Sequence, residues 1–419
     1  MSDRTERSDV VIVGCGPGGA VLAYLLARSG VDVALIERAA TFEREYRGFG
    51  WNPGVIRLFD EMDLLDDILA LAHETVTEGA LSLYGKNVPV LDFDLLETDY
   101  PYALMMEQPA LLECLVDHAM TYDGFSFYPA TTVTDIERDG SSSGNGVRAH
   151  DRTTDQEVTF EARVVVGADG RYSTVRSTAD IAPGLFESPI DLVWFKLPRG
   201  AVDASAEGRI DRDGILMYFG LDGGELQIGY LVRNDEWPAI KDAGFSAFRN
   251  RVAAIDPEVA EAVTTHLDGF RDTTLLNIAP GLADTWTQDG LLLLGDAAHV
   301  ASPVGAQGNP LAVEDAVVAH DVLVRALSES SGNLSGQVLD EFEARRRPSV
   351  ERVISLQRRA ADNFAFWLTY GEYVPTWLVR GSATVFKRVV PHSRIIQRLV
   401  ESFALGDQTV SVGRSHFTD

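Results

Sequence analysis

The sequence predicts an α/β fold in which a strand–turn–helix unit and two later strands share one sheet, a β-rich second unit is interleaved with it, and helices close the chain. Three observations carry that expectation. Val10-Val11-Ile12-Val13 is a buried-strand run that leads into a glycine-rich turn and then into a segment of helical periodicity. Two further apolar runs, Val164-Val165-Val166 and Leu291-Leu292-Leu293-Leu294, each end in a turn that carries a carboxylate. Residues 181–277 hold alternating or aromatic stretches, such as Ile215-Leu216-Met217-Tyr218-Phe219 and Leu226-Gln227-Ile228-Gly229-Tyr230-Leu231, which read as strands.

Length and composition allow such a fold. At 419 residues the chain can bury a substantial core and form two or three domains. With 45% hydrophobic and 24% charged residues it has the composition of a globular protein rather than a disordered one. Acids outnumber Lys plus Arg by 63 to 36, a net charge of −27, so most of the surface repels polyanions and nucleic acid is excluded as a partner. Only Lys86, Lys196, Lys241 and Lys387 are lysines. A salt-rich, halophilic cytoplasm, where charge is screened, accounts for an acidic and Lys-poor surface. A GC-rich genome accounts for Arg over Lys but not for the acids. Cys15 and Cys114 lie in unlike contexts and form no framework of bridges, which suits a reducing cytoplasm. The uncharged run from Val10 to Ala27 is interrupted by glycines and Pro17, so it reads as strand, loop and helix, not as a membrane span, and the segment before it lacks the marks of a signal peptide.

In the first turn, Gly14-Cys15-Gly16-Pro17-Gly18-Gly19, Gly14 permits the tight bend, Gly16 lets the backbone approach a pyrophosphate, and Gly19 lets helix and strand pack. The unpaired N–H groups at the helix start suit an anion. A second strand, Val31 to Ile36, ends in Glu37, placed 23 residues after Gly14 to accept a ribose hydroxyl. The site therefore suits a dinucleotide, with FAD and NAD both open at this point. The later strands end in Gly167-Ala168-Asp169-Gly170 and Gly295-Asp296-Ala297-Ala298-His299. In open α/β sheets the ligand crevice lies at the carboxyl ends of the strands, so Asp169 and Asp296 are placed, like Glu37, to meet one extended ligand.

These motifs, in this order, resemble the flavoprotein monooxygenase family of FAD-dependent aromatic-ring hydroxylases that includes para-hydroxybenzoate hydroxylase. The likeness spans roughly residues 8–360 and includes Arg47-Gly48, Gln108 ahead of a helix, the strand Leu192-Val193-Trp194-Phe195 and Arg345-Arg346-Arg347-Pro348. It implies a Rossmann-like FAD-binding domain (GR2-type) from residues 1–75, 100–180 and 275–340. A β-sheet substrate domain follows from 76–99 and 181–274, and a C-terminal helical region from 341–419. It further implies that Glu37 and Arg38 hold the adenosine end of FAD, that Val133 meets adenine through its backbone, and that Arg47 and Gln108 approach the pyrophosphate and ribityl chain. Asp296 would bind the ribityl hydroxyls, Asp169 would serve both FAD and the passing NAD(P)H, and Pro303 would lie beside the flavin ring. Gly308 and Asn309 would open a helix whose N-terminus stabilises negative charge on the reduced ring by about 0.3–2 kcal/mol. The sequence departs from the family here: Asn309 stands one place early and Pro310 occupies the usual Asn position.

The implied activity is hydroxylation of a small aromatic, polyketide-like or isoprenoid compound with NAD(P)H and O2 through a flavin C4a-hydroperoxide. The flavin carries the chemistry, and no side chain is assigned as catalytic. The sequence shows no clustered metal ligands and no Ser-His-Asp order. A carbon–carbon double-bond reductase resembling geranylgeranyl reductases, and an FAD- or metabolite-binding protein without turnover, stay open as alternatives; a halogenase is disfavoured because its WxWxIP motif is absent. The β-rich unit offers Trp194, Tyr218, Gln227 and Tyr230 to the substrate, while His299 reads as a hydrogen-bonded core residue. Finally, residues 373–400 are free of acids between Glu372 and Glu401 but contain Arg380, Lys387, Arg388, Arg394 and Arg398 among apolar residues. Such a helix suits either peripheral contact with an anionic membrane or packing on the protein's own acidic body.

Overall fold

A computed structural model of the protein describes residues 4–43, 49–138, 145–202, 207–221, 224–389, 393 and 400–418. Its first sheet has eight strands: β1 (Arg4–Val13), β2 (Val33–Ile36), β8 (Phe125–Tyr128), β9 (Thr131–Arg138), β10 (Asn145–Asp151), β11 (Gln156–Gly167), β18 (Thr287–Gln288) and β19 (Leu291–Leu293). The order β18-β19-β11-β1-β2-β8 is parallel from β19 to β8, and β9 and β10 extend β11 as an antiparallel meander. Val10 to Val13 and Leu291 to Leu293 are buried, as continuous apolar runs in a parallel sheet covered on both faces should be. Val13 is in register with Ile36 and Gly167, and Gly167 with Leu293, so all the glycine- and carboxylate-bearing turns leave from one edge of the sheet.

Helix α1 (Pro17–Arg28) packs against both α4 (Gln108–Ala119) and α9 (Gly308–Glu329) beside this sheet, with α2 (Pro53–Glu61), α3 (Leu65–Ala70) and the short α5 (Thr174–Thr178) at its margins. A small sheet of β3 (Gly50–Trp51), β7 (Ala103–Met105) and β4 (Glu74–Val76) joins this body to the second large sheet, and β17 (Gly281–Leu282) pairs with β20 (His299–Val300).

The second sheet orders β16 (Thr274–Leu276), β12 (Ile190–Pro198), β15 (Glu225–Arg233), β14 (Gly214–Leu221), β13 (Glu207–Asp211), β5 (Glu78–Leu83) and β6 (Lys86–Asp92). Side chains alternate across it. Val193, Phe195, Tyr218, Ile228 and Tyr230 face a core shared with α6 (Trp237–Asp242), α7 (Phe245–Ile255) and α8 (Pro257–His266). Leu192, Trp194, Phe219 and Leu231 face the other way, toward the first sheet and the end of α10 (Gly336–Tyr370).

Downstream of α10, α11 (Thr376–Val389) lies on β5 and β6, and its Arg380 donates to the Tyr84 carbonyl. The expectation of helix through residue 419 is corrected at the tail. Gly406 turns left-handed (φ +61°), and from residue 405 to 418 the chain runs as a strap with one short 3-10 turn, Arg414–His416. Its backbone groups are met by side chains of the body instead of by a helical ladder: Arg57 donates to the Val410 carbonyl, while Glu314 and Glu61 accept from the Asp407 and Val412 N–H groups. No helix among the described residues is long and apolar enough to cross a membrane.

Candidate active site

The glycine-rich turn is shaped by close approaches. A Cβ on Gly14 (φ +103°) would lie 2.5 Å from the Ala168 carbonyl oxygen, and one on Gly19 only 2.0 Å from the Gly14 oxygen. At Gly18 it would meet the Leu294 side chain at 2.7 Å. Gly16 differs, for nothing lies within 4 Å of where its Cβ would be. Three glycines thus let the turn fold onto its own body, and the fourth leaves backbone open. Pro17 begins α1 without a side-chain cap at Gly16, so the first N–H groups of the helix are directed at the opening. Glu37 is buried and accepts from the N–H groups of Cys15 (2.9 Å) and Ala39 (2.8 Å), which latches the end of β2 to the turn.

The Asp-Gly turn divides its labour differently from the expectation. The Asp169 carboxylate accepts from Ser173 Oγ (2.5 Å) and from the N–H groups of Thr174 (2.6 Å) and Val175 (3.2 Å). It therefore caps α5, whose first N–H groups would otherwise be orphaned, and it does not line the cleft; Gly170, Arg171 and Tyr172 do. Burial raises the Asp169 pKa despite these hydrogen bonds. Arg176 donates to the Ala297 carbonyl (2.8 Å) and the Arg171 carbonyl (2.8 Å), tying this turn to the Gly-Asp turn.

The Asp296 side chain is exposed to the cleft, between the buried Gly295 and Ala297, and its carboxylate has no hydrogen-bond partner among the described residues. Burial pushes its pKa up, opposed by His299, Arg171 and Arg176. Its setting is held from behind: Asp315 accepts from the Gly295 N–H (3.0 Å), contacts His299 Nε2 (2.6 Å) and accepts from Arg346 Nε (2.8 Å). Burial would raise Asp315, but the charges of His299 and Arg346 outweigh it and hold the carboxyl at about 2. His299 is thus a partner of a buried carboxylate and lies off the cleft.

Beyond it the chain turns through Gly305 (φ +77°) and Ala306 (φ +53°) into α9. Gln357 grips this turn, accepting from the Ser302 N–H (3.0 Å) and donating to the Ser302 (2.8 Å) and Val304 (2.7 Å) carbonyls. Pro303, Gly308 and Asn309 line the cleft. Gln108 Nε2 donates to Asn309 Oδ1 (3.0 Å), while Asn309 Nδ2 is buried without a partner. Pro310 sits in the first turn of α9, where a missing N–H costs nothing.

These pieces enclose a cleft of about 800 Å³. Its floor is the Gly16–Gly19 turn, Arg38, Ala168, Gly170, Gly295 and Asp296; its roof comprises Trp194, Phe219, Leu276 and Ile278, flanked by Phe49 and Met105. Trp194 and Phe219 meet edge to face at 5.8 Å. Gln227 shares their face, paired in register with Phe219 and Lys196, and its Oε1 is buried without a partner, as is Trp194 Nε1. Tyr218 and Tyr230 are not brought to the cleft. They point to the opposite face, where the Tyr218 hydroxyl donates to Asp256 (2.7 Å) and Tyr230 packs on Phe248. Val133 is buried on β9 opposite Ala149, away from the lining, and Arg47 lies outside the described residues. Phe219, Met105 and Phe49 were missed from sequence; for Phe219 the available signal was its even parity with Gln227, one step from Tyr218.

Residues 7–357 match the family model described as an FAD binding domain. The chain is 33% identical over 421 aligned positions to 6-methylpretetramide 4-monooxygenase of Streptomyces rimosus, covering 99% of this chain and 96% of that protein. It is 27% identical to rifampicin monooxygenase of Rhodococcus hoagii, over 85% of this chain and 71% of that one. Among solved structures, p-nitrophenol 4-monooxygenase from Pseudomonas putida superposes with a TM-score of 0.77 at 20% identity, covering 97% of this chain and 100% of the other, a likeness of fold.

Proposed function

This chain belongs to the FAD-dependent aromatic-ring hydroxylase family, and on that premise we propose that its substrate is a fused-ring, polyketide-like aromatic carrying a carbonyl and a phenolic hydroxyl. The reaction type follows from the family: an FAD-dependent monooxygenase that uses NAD(P)H and O2. Its relatives are named monooxygenases, which sets aside the double-bond reductase and the non-catalytic carrier.

The residues present fit FAD. Open backbone at Gly16, Gly170 and Gly308, where a Cβ would meet nothing within 4 Å, offers a cradle, and the Asp296 carboxylate and Asn309 Nδ2 have no hydrogen-bond partner among the described residues. In our reading the Gly14–Gly19 turn and the start of α1 take the pyrophosphate, Glu37, Arg38 and Val133 the adenosine end, Arg47, Gln108 and Asp296 the middle, and Pro303, Gly308 and Asn309 the ring end. Asp169 acts by building its turn. Bound FAD supplies electron transfer and oxygen activation; the protein supplies orientation, charge and exclusion of water. On the protein side, the apolar roof keeps water from the reacting face, and the N-terminus of α9 favours negative charge beside it.

The observation that carries the substrate class is a pair of orphaned groups on the sheet face that forms the roof, Trp194 in the lining and Gln227 beside the lining residue Phe219. Trp194 Nε1 is a donor and Gln227 Oε1 an acceptor, both buried and unpaired on one sheet face. Each unpaired group costs about 1–3 kcal/mol, which a substrate offering a carbonyl to the indole and a hydroxyl to the amide would recover. Two relatives are named for action on 6-methylpretetramide and on rifampicin, which supports this class. The test is incubation with NADH or NADPH, 18O2 and a panel of fused-ring phenolic ketones, read by mass spectrometry. Incorporation of one 18O atom into such a compound, and not into simple monocyclic phenols, is expected; the opposite preference overturns the substrate class. A peripheral membrane contact through residues 373–400 we retain as a secondary proposal, because Trp377, Leu378 and Val385 of α11 are exposed beside Lys387 and Arg388. Co-sedimentation with anionic but not neutral vesicles would support it.

A further inference from the structure

The segment that follows residue 400, a helical turn to residue 404 and then the strap, lies beyond the residues matched by the family, yet it is keyed into the back of the cleft. The Phe403 carbonyl accepts from Asn52 Nδ2 (2.9 Å) and from Gln307 Nε2 (3.1 Å). Those residues are the N-caps of α2 and α9, next to Gly50 and Gly308, which line the cleft. The Phe403 ring lies where a Cβ on Gly305 would come within 3.0 Å, and the Leu405 carbonyl oxygen lies 2.3 Å from where a Cβ on Gly54 would be. Gly406 is held against Glu314 so closely that a Cβ would be 2.1 Å from Oε1, and the Asp407 N–H donates to that same oxygen (2.9 Å). Glu314 is in turn paired with the buried Arg346 (2.8 Å).

Two glycines of the body and one of the strap are therefore matched to a single docked position. The turn it touches needs such support. Ala306 sits in the left-handed region without being glycine, a conformation that persists only where its surroundings enforce it. Gln307 is buried, and its amide N–H groups are directed to the Gly305 carbonyl (2.8 Å) and the Phe403 carbonyl. Gln357 holds the same turn from the other side through Ser302 and Val304.

We propose that residues 403–407 are a positioning element of the FAD site: a strap that fixes the Ser302–Gln307 turn, and with it Pro303 and the start of α9, from the side opposite the cofactor. This rests on reading that turn as the ring end of the cleft. The strap touches neither cofactor nor substrate. It acts by holding the backbone that does, so displacing it loosens FAD without removing any group in the cleft.

Gly54→Ala separates this role from general stability. Alanine is the better helix former in α2, Gly54 does not line the cleft, and the added methyl collides with the strap backbone alone. Full-length wild type, Gly54→Ala, Phe403→Ala and Arg414→Ala are stripped of FAD, then titrated with it while flavin fluorescence and the visible spectrum are recorded, with thermal unfolding of each apoprotein measured in parallel. Gly54→Ala and Phe403→Ala are expected to weaken FAD binding at least tenfold and to change the resolution of the visible flavin bands. Phe403→Leu should recover part of the loss. Arg414→Ala, which cuts only the distal contact with Asp63 (2.8 Å), should bind as wild type does. Unchanged affinity and spectrum in both Gly54→Ala and Phe403→Ala overturn the proposal, as does a loss of apoprotein stability that accounts for the whole change in affinity. A wild-type chain that takes up no FAD sinks the reading of the cleft itself, and the strap's role with it.

Discussion

The floor and the roof of the cleft are built by different means. On the floor the chemistry is presented by backbone: glycines let turns approach within contact distance, and the carboxylates of Glu37, Asp169 and Asp315 face inward to hold N–H groups of those turns. Of these turn acids, Asp296 is the one that lines the cleft. On the roof the chemistry is presented by side chains on a regular sheet, where identity is loosely constrained and only the alternation of faces decides what reaches the cleft. The floor should therefore be intolerant of small changes in backbone space, and the roof sensitive to single polar atoms.

The largest effect expected from that contrast is at Gly19. A methyl there would lie 2.0 Å from the Gly14 oxygen, so Gly19→Ala cannot be absorbed without parting α1 from β1, and a loss of more than about 3 kcal/mol, seen as failure to accumulate folded protein, is expected. Gly16→Ala is the matched control, since the added methyl meets no protein atom. Its apoprotein should unfold as wild type does in denaturant while FAD affinity falls. Equal stability losses in the two variants would erase the distinction between glycines that fold the floor and the one that opens it.

Next in size is an acid sensitivity behind the floor. His320 on α9 is buried against Ser29 (2.8 Å) and the His416 ring, and burial, reinforced by His416, lowers its pKa from 6.5 to about 3. The folded state keeps it neutral while the unfolded chain binds a proton below pH 6.5, so stability is full above that value and falls as pH drops toward 3. The slope is about 1.4 kcal/mol per pH unit, or roughly 2 kcal/mol by pH 5. Urea unfolding of wild type and His320→Gln at pH 7.5 and 5 measures it. A variant with the same pH dependence as wild type would assign the sensitivity elsewhere.

The same contrast explains what the sequence disclosed. The parallel strands, the two carboxylate-bearing turns and the glycine-rich floor were legible because backbone geometry dictates residue type: only glycine meets the demands at Gly14 and Gly19. What Asp169 binds was not legible, since a carboxylate at a strand end serves a helix cap or a ligand equally well, and here the unfilled N–H groups of α5 took it. Choosing aromatics on the roof by type admitted Tyr218 and Tyr230 and missed Phe219, because one residue's shift in a strand reverses the face. The strap was invisible for another reason: its partners Asn52, Gly54, Gly305 and Glu314 are scattered across the chain and carry no periodic mark.

On the roof face, Gln227→Met removes an orphaned polar atom at nearly constant volume, and Trp194→Phe removes one together with part of the ring. Gln227→Met should leave apoprotein stability unchanged or slightly higher, because a buried unpaired group disappears, whereas Trp194→Phe also loses packing and should cost about 1 kcal/mol. Both should nonetheless reduce kcat/KM for the hydroxylated substrate about tenfold, near 1.4 kcal/mol of lost transition-state stabilisation, with more NAD(P)H oxidised per product formed. Unchanged kcat/KM in both would remove the substrate assignment of this pair and leave the roof as purely apolar cover.

The smallest expected change in activity, none, tests the parity argument most directly. Tyr218 differs from Phe219 by one position and one hydroxyl, and that hydroxyl donates to Asp256, which also pairs with Arg209 and caps α8 through the Glu258 N–H (3.0 Å). Burial and the neighbouring carboxylate push the tyrosine pKa far up, so it stays a neutral donor at any working pH. Tyr218→Phe should then cost about 1–2 kcal/mol of unfolding free energy and leave FAD affinity, kcat and KM alone, since the lost bond lies on the helical face of the sheet. Phe219→Ala should do the reverse in kind, opening the roof beside Trp194 and raising KM. If Tyr218→Phe altered turnover while leaving stability intact, the face assignment of β14 would be inverted, and Phe219 and Gln227 would lose their place over the cleft with it.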